Sequence, residues 1–431
     1  MKTEYSMLDR TVAPQVRDVE SLTFPEVEMF RLPNGIPVYV IERGEQEVSR
    51  VDILFSAGKI DDTHPLTAEL TASMLREGAE GLTSGDIAEQ LDYYGATLHT
   101  MATLRNTYFT LYSANRFFPE ILSLLHRILT RPVFPEKEFA TVKERGRQSL
   151  LVELEKVGVL ASRAFLSQLF GAEHPYGSSV APADYETLDI ERLRRFHAAY
   201  YTAARCRIVV SGHISPAMKR CVATLFSDMS PGDAPVQVIP PFHSDTAHYR
   251  LVEKTGVLQS GIRAGRLVVG RNHPDHHRLR ILNTLLGGYF GSRLMSNIRE
   301  DKGYTYGIHS SVVTFPDTAY LTIQTQTAVQ YVRPLLDELR KELCRLRTEP
   351  VGESELLMVR NYMTGEMLRL FDSPLSVAEV FVTLLANNLD FGYYTDRFNA
   401  IRAVTPDDLL HTARRYFDEQ EFYITVAGRE Q

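Results

Sequence analysis

The sequence predicts an α+β protein made of two homologous domains, each a mostly antiparallel sheet covered on one side by helices, which face each other like half a clamshell. Strands occur in hairpins, and long amphipathic helices stand in blocks between and after them, which is typical of this class. The same order of elements also occurs twice along the chain. With 431 residues and 44% hydrophobic content, the chain exceeds the size that one hydrophobic core usually supports.

Hairpin signals mark strands in both halves. Residues 29–42 read as two strands around a turn at Pro33, Asn34 and Gly35, and residues 304–326 read as two strands around Pro316 and Asp317. Proline, asparagine, aspartate and glycine are the residues that tight turns require. Each stretch therefore predicts an antiparallel pair.

An internal repeat predicts that the two halves share one fold. Residues 189–212 read as a capped helix, an aromatic pair, an apolar strand and a glycine, and residues 405–428 repeat this order without a gap, 216 positions later (Gly212 to Gly428). A core-facing helical stripe with the 3.6-residue period and a short third segment also recur. The stripe consists of Ile121, Leu122, Leu125 and Leu129, matched by Leu335, Leu336, Leu339 and Leu343, and the third segment pairs Glu138, Phe139 and Val142 with Glu355, Leu356 and Val359.

The boundary between the halves is predicted in a proline-rich stretch. Residues 229–249 contain four prolines, which forbid a continuous helix and suit an extended linker. The predicted organisation is a first domain at 1–228, a linker at 229–249 and a second domain at 250–431.

Composition excludes several classes of function. A net charge of -7 and a pI near 6.0 provide no basic surface for nucleic acid or for an anionic membrane. The three cysteines, Cys206, Cys221 and Cys344, are widely spaced without a C-x-x-C pair, so we expect buried free thiols in a reducing compartment. Residues 1–30 hold no apolar run of signal or membrane-span length, and the expected location is cytoplasmic.

The stretch from Gly287 to Tyr306 holds the candidate binding residues. Arg299 is predicted in the last turn of a helix that Gly303 ends in the left-handed conformation. Beyond it, Tyr304 and Tyr306 are predicted on one face of a strand, so that Arg299 and Tyr306 converge on one oxygen atom. On local evidence two plainer interpretations stay open, a surface salt bridge of Arg299 and a half-buried strand aromatic for Tyr306.

Two groups of residues that contain histidine are candidate metal ligands. His64 and Glu69 are five residues apart across Pro65, and this spacing favours a polar helix entrance over a metal site. His273, His276 and His277 are denser, but Pro274 places His273 at or before a helix start. We interpret these three as solvated residues at a helix entrance.

The ordered set of motifs resembles the pitrilysin and insulinase family of zinc peptidases, the inverzincins, named after the inverted zinc motif H-x-x-E-H. The resemblance covers nearly the whole chain. Its motifs here are Leu32-Pro33-Asn34-Gly35, the helix 84–95, His174-Pro175-Tyr176-Gly177, the helix and strand 200–212, and the stretch 287–306.

The chain departs from the family at the zinc motif. The corresponding helix places Glu69 and Ser73 at the two histidine positions and Ala72 at the position of the general base. The family's third ligand, a glutamate, falls near Gln148 to Leu150, where no carboxylate stands before Glu153. We therefore expect no metal in this chain and no peptidase activity from it alone, and an autonomous zinc peptidase conflicts with these residues.

What the resemblance implies is a subunit that completes another chain's active site. Active relatives use an arginine and a tyrosine seven residues apart to contact the scissile region of the peptide, and Arg299 and Tyr306 match them in the context I-R-E-x-x-G-x-x-Y. Some bacterial relatives work as two half-length subunits, one bearing zinc. The expected partner is thus a homologous zinc-bearing subunit, with peptides as substrates and zinc on the partner; self-pairing stays open for the isolated chain. The alternative is a purely structural or peptide-binding homologue.

Overall fold

A computed structural model describes residues 11–12, 19–233 and 239–430 of the chain. The strands are β1 (Glu28–Arg31), β2 (Pro37–Glu42), β3 (Val48–Phe55), β4 (Gly78–Ala79), β5 (Leu82–Thr83), β6 (Thr97–Ala102), β7 (Thr107–Ala114), β8 (Cys206–Gly212), β9 (Tyr249–Glu253), β10 (Gln259–Val268), β11 (Thr305–Thr314), β12 (Ala319–Ala328) and β13 (Tyr423–Gly428). The helices are α1 (Thr67–Met74), α2 (Ser84–Tyr93), α3 (Phe118–Thr130), α4 (Glu136–Leu154), α5 (Val157–Phe170), α6 (Pro182–Thr187), α7 (Ile190–Tyr200), α8 (Pro216–Phe226), α9 (His276–Asn283), α10 (Val332–Thr348), α11 (Glu353–Arg369), α12 (Pro374–Ala386), α13 (Gly392–Ala403) and α14 (Pro406–Tyr416).

Two sheets with the same strand order form the centre of the protein. The first has the order β1-β2-β8-β3-β7-β6 and the second the order β11-β12-β10-β13-β9. All pairs are antiparallel except β2 with β8 and β13 with β9. Reading the second sheet in reverse, β9, β13, β10, β12 and β11 take the places of β2, β8, β3, β7 and β6. The predicted α+β duplication is confirmed, and both predicted hairpins form.

The strand register gives the correspondence between the halves residue by residue. Ile53 pairs with Ile208 in the first sheet, and Ala264 pairs with Ile424 in the second. Ile424 stands 216 positions after Ile208, the offset of the sequence repeat, so β10 corresponds to β3 at an offset of 211 (Ile53 to Ala264). At the same offset Arg280 of α9 corresponds to Glu69 of α1, although the two helices begin 209 positions apart (Thr67 to His276).

Each domain lends one helix to the sheet of the other. Helix α5 belongs to the first half but packs on β10 and β13 of the second sheet, while α12 of the second half packs on β8, β3 and β2 of the first. The two helices are themselves equivalent, since α12 begins 217 positions after α5 (Val157 to Pro374). The expectation of helices on one side of each sheet was therefore incomplete, because the exchanged helix covers the other side.

Apolar and polar contacts both anchor the exchanged helices. Ile41, Leu54 and Val209 of the first sheet join the hydrophobic core of the second domain through α12, and burial of such side chains contributes about 1.5–3 kcal/mol each. Beneath α12, the buried guanidinium of Arg50 binds Asp52 at 2.8 Å and donates to the Leu375 carbonyl at 3.3 Å. The two domains thus share core residues rather than only touching at their surfaces.

The chain between the sheets is largely extended. From Ser230 to His248 the described residues hold no helix or strand, as the four prolines predict, and residues 234–238 of the predicted linker lie outside the described part. The start of the predicted first domain, at 1–10 and 13–18, also lies outside it. The domain limits at 228 and 250 stay a prediction.

The cysteines differ from one another in exposure. Cys206 is buried in β8, and burial raises the pKa of its thiol. Cys221 is half-buried, whereas Cys344 is exposed on α10. The expectation of three buried thiols is wrong for Cys344, because its position falls on the solvent side of the helical stripe.

Close packing of α5 on the second sheet predicts that a side chain at Gly261 destabilises the protein. A Cβ added at Gly261 of β10 would stand 2.6 Å from the Val157 carbonyl oxygen and 2.8 Å from the Gly158 nitrogen. Backbone cannot give way as a side chain can, so we expect Gly261→Ala to lower the free energy of unfolding by about 1–3 kcal/mol. The matched control is Gly365→Ala on α11, where a Cβ meets open space and helix propensity raises stability by up to about 1 kcal/mol. Urea unfolding measures both, and equal effects would contradict the close contact.

Candidate functional site

The degenerate zinc positions lie on α1, which packs against α7, α4 and β6 of the first domain. The carboxylate of Glu69 binds the ammonium group of Lys59 at 3.1 Å. The hydroxyl of Ser73 donates to the Glu69 carbonyl one turn back at 3.0 Å, and Ala72 is only 1% exposed. Glu69 is thus neutralised by a lysine, Ser73 is bonded to its own helix, and Ala72 carries no base.

The region of the third ligand provides no replacement. Glu153, near the end of α4, forms an ion pair with Lys156 at 2.5 Å. In the described ranges no cluster of three or more histidine, cysteine, aspartate or glutamate side chains is placed to hold a metal ion. A zinc ion needs three or four such ligands, so the residues at the family's zinc position do not fit one.

The histidine clusters take structural positions. The ring Nδ1 of His64 accepts the Leu66 N–H at 3.3 Å, in keeping with a polar helix entrance. His273 precedes α9, as Pro274 predicts. His276, however, is fully buried and His277 is half-buried, so the expectation of three solvated histidines was wrong, because α13 covers this end of α9.

Arg299 lies in a helical turn whose end was predicted correctly. The turn spans Met295–Asp301 in a π-helical form, and Gly303 follows with a φ of 66°. The guanidinium of Arg299 lies over the ring of Phe290, 4.8 Å from its centroid, and within the described part of the chain it has no carboxylate at salt-bridge distance. The cation is held by an aromatic face, not by the salt bridge of the plainer interpretation.

Tyr306 lies at the start of β11, the edge strand of the second sheet. Its side chain is 93% exposed, which does not fit the interpretation as a half-buried strand aromatic. The pairing of β11 with β12 is irregular between Thr305 and Ile308, and the Thr305 hydroxyl donates to the Gly307 carbonyl at 3.0 Å. Tyr304 precedes the strand and stacks on Tyr331 at 5.0 Å. The regular alternation expected for these tyrosines is therefore interrupted.

A cavity of about 710 Å³ opens beside Tyr306, between the start of α5 and the second sheet. Its walls include Tyr306 but not Arg299, and they carry several basic side chains. The charged and polar residues on the walls include Lys156, Ser162, Arg163, Arg263, Gln324 and Gln326. Arg163 and Arg263 are partly buried, and this loss of hydration lowers the pKa of both guanidinium groups.

Sequence reasoning missed this cavity, although one signal for it exists. In β10, Gly261, Arg263 and Gly265 alternate on one face, so that an arginine stands between two residues without side chains. A face of this kind cannot fill itself. The helix that covers it comes from the other half of the chain, and that pairing is not visible in the local pattern.

The fold is similar to that of known peptidases and of their homologues. Residues 187–363 match the family described as "Peptidase M16 inactive domain". In sequence, the chain is similar to an uncharacterised zinc protease, YmxG, of Bacillus subtilis, with 22% identity over 80% of this chain and 85% of that protein. An uncharacterised zinc protease of Rickettsia felis is 22% identical over 80% of this chain and 83% of its own length.

Solved structures show the same fold. A peptidase M16 inactive domain from Pseudomonas fluorescens superposes with a TM-score of 0.86 at 23% identity, covering 94% of this chain and 98% of that one. A protease from Helicobacter pylori gives 0.83 at 18% identity, covering 94% and 100%. The periplasmic protease PqqL of Escherichia coli gives 0.78 at 14% identity, covering 99% of this chain and 49% of that chain. The resemblance to a family of zinc peptidases, predicted from the motifs, is confirmed.

Among the helices of the described residues, none has both the length and the apolar character required to cross a bilayer.

The substituted zinc positions predict the metal content of the purified chain. We expect the chain, after incubation with zinc and exhaustive dialysis, to retain well below one equivalent by elemental analysis, because Glu69 alone offers a carboxylate and Lys59 already binds it. A homologue with an intact H-x-x-E-H serves as the positive control. One tightly bound zinc per chain would contradict this assignment of the site.

The buried histidines predict the direction in which stability changes with pH. Burial and the nearby Arg280 lower the pKa of His276 to about 3, and the same causes with Arg397 lower that of His277 to about 4. An unfolded histidine has a pKa of about 6.5, so the unfolded chain binds more protons below that pH. Stability is therefore complete above about pH 6.5 and is lost as the pH falls.

We expect the free energy of unfolding to drop between pH 7 and pH 5, with roughly 1–2 kcal/mol from each of these two histidines. His276→Phe should flatten the slope, whereas His411→Gln, at an exposed position, should leave it unchanged. Urea unfolding at both pH values measures the slope. An identical slope in the wild type and in His276→Phe would show that His276 does not contribute.

Proposed function

We propose that this chain is the non-catalytic subunit of a heteromeric zinc metallopeptidase that cleaves peptides. In this proposal Arg299 and Tyr306 bind the substrate and polarise its carbonyl group at a zinc site on a homologous partner chain. The observation that carries the proposal is the state of Tyr306, a large aromatic side chain that is 93% exposed beside a basic cavity.

Because Tyr306 is exposed, the protein does not gain the free energy that burial of this aromatic ring would provide. Phe290, which holds the Arg299 guanidinium, is itself 64% exposed. Exposed apolar groups that form one patch mark binding surfaces, and the proposal requires Phe290 and Tyr306 to belong to one patch. The phenol of Tyr306 and the guanidinium of Arg299 are both hydrogen-bond donors, and such donors stabilise negative charge that develops on a carbonyl oxygen.

The setting of Tyr306 suits an extended peptide. Strand β11 is the edge of its sheet, and an edge strand can accept a peptide as an additional strand. The cavity of about 710 Å³ next to it is large enough for side chains of such a peptide. These features support binding, and they do not by themselves supply a nucleophile or a base.

The lengths of the structural relatives support a second subunit. PqqL contains this fold in 49% of its chain, so a longer protease holds room for a second unit of the same size. Because the zinc positions of this unit carry Glu69, Ala72 and Ser73, a second unit would have to supply the metal, and in the proposal that unit is the partner chain. Two bowl-shaped subunits would then enclose the peptide between them.

Mixing experiments with a purified homologue that has an intact H-x-x-E-H test the proposal. We expect peptidase activity from the mixture that neither chain gives alone. Arg299→Ala should lower kcat/KM of the mixture by about 10²–10³-fold, as the loss of an oxyanion donor does. Tyr306→Phe, which removes one hydrogen bond, should lower it by roughly tenfold.

Arg340→Ala is the matched control, because Arg340 is an exposed arginine of the same domain that pairs with Asp337 on its own helix. It should leave activity unchanged. Full activity of the zinc-bearing chain alone would refute the proposal. Full activity of a stable complex carrying Arg299→Ala would instead support the alternative, a purely structural or peptide-binding homologue.

A further inference from the structure

A second, smaller cavity lies in the second domain, between α9, β11, α11 and α13. Its volume is about 220 Å³, the space of roughly seven water molecules. Its polar side chains include Arg280, Asn283, Thr284, Ser310, Glu366 and Arg397. Tyr306 does not line it, although His309 lines both this cavity and the larger one.

The duplication shows what this cavity corresponds to in the first domain. At the offset of 211 found for β3 and β10, Arg280, Asn283 and Thr284 correspond to Glu69, Ala72 and Ser73. Helix α11 begins 217 positions after α4 (Glu136 to Glu353), so residues 148–150 correspond to 365–367, and Glu366 falls among them. The cavity is therefore the second domain's counterpart of the zinc position, with different side chains on its walls.

The walls carry an excess of positive charge. Within the described residues, Arg280, Arg397 and the neighbouring Arg271 have no carboxylate at salt-bridge distance, and a nitrogen atom of each is buried without a hydrogen-bond partner. Burial beside Arg280 lowers the pKa of Arg397 to about 10. The one carboxylate on the wall, Glu366, lies 3.5 Å from Arg369 of its own helix. Buried charges in proteins are normally paired, and Glu366, which also acts on Arg397, is a single carboxylate beside these three guanidinium groups.

An unpaired acceptor indicates the kind of anion. Asn283 is 8% exposed; its amide nitrogen donates to the Ser310 carbonyl at 3.3 Å, but its Oδ1 has no partner among the described residues. A hydrogen phosphate ion carries charged oxygens for the guanidinium groups and an O–H group that can donate to this oxygen. Sulfate and acetate at neutral pH carry acceptors only.

We propose that this cavity is a binding site for inorganic phosphate, held between Arg280 and Arg397 with its O–H group donating to Asn283. The site lies in the second domain where the first domain has its degenerate zinc positions. It needs neither the partner subunit nor Arg299 and Tyr306. It therefore does not depend on the function proposed above.

Isothermal titration calorimetry on the full chain, in a phosphate-free chloride buffer, tests the site. We expect saturable binding of one phosphate, and weaker binding of sulfate and acetate. Arg280→Gln and Arg397→Gln should each raise Kd by roughly tenfold or more, because each removes charge-assisted hydrogen bonds. Arg340→Gln on α10 is the matched control and should bind phosphate as the wild type does.

Absence of saturable phosphate binding, or equal binding by the wild type and both cavity variants, would overturn the proposal. Equal affinity for phosphate and acetate would overturn the role of the O–H group and would show that the cavity binds carboxylates as well as phosphate. Should either variant fail to fold by circular dichroism, a wild-type crystal soaked in arsenate, which keeps an O–H group at neutral pH as phosphate does, locates the oxyanion directly, and an anomalous peak only outside this cavity would refute the site.

Discussion

The exchange of α5 and α12 between the two sheets is the constraint on which the rest of the structure depends. Each sheet has one face covered by helices of its own half and the other by a helix of the opposite half. Separating the domains would expose the apolar side chains of both inner faces to water, and it would break the hydrogen bond from Arg50 to the Leu375 carbonyl. The two halves therefore hold a fixed geometry. This geometry also builds the larger cavity, because its upper wall is the start of α5 and its floor is the second sheet.

Most of the fold follows from local patterns, and the exchange does not. Hairpin turns, the helical stripes and the offset of 216 specify strands, helices and their repetition, because each depends on residues close together in sequence. Periodicity states which face of a helix is buried, but not which sheet buries it. Phe165, Leu169 and Phe170 form an apolar face that would suit either sheet, yet they pack with Tyr320 and Phe315 of the second half. The glycines of β10 are the one local trace of that contact, since they leave room for a helix backbone.

The same distinction applies to the candidate site. The helix end at Gly303 was predictable, because glycine readily adopts a positive φ such as the 66° found there. The contact of Arg299 with Phe290 and the exposure of Tyr306 were not, because the irregular pairing after Thr305 depends on the hydroxyl groups of Thr305 and Thr325. The burial of His276 was missed for another reason. It depends on α13, more than a hundred residues later in the chain, which no property of the histidine cluster itself indicates.

The two equivalent positions of the duplicated fold have diverged in opposite ways, and neither suits a metal cation. In the first domain Glu69 is neutralised by Lys59, which leaves a short ion pair where the family has its zinc. In the second, Arg280 and Arg397 create a positive field, which repels a divalent cation by the same Coulomb interaction that attracts an anion. The side chains at both positions oppose zinc binding. In the proposed function, the zinc that acts together with Arg299 and Tyr306 is therefore held by the partner chain, and the charges at both positions support this as much as the loss of two histidines does.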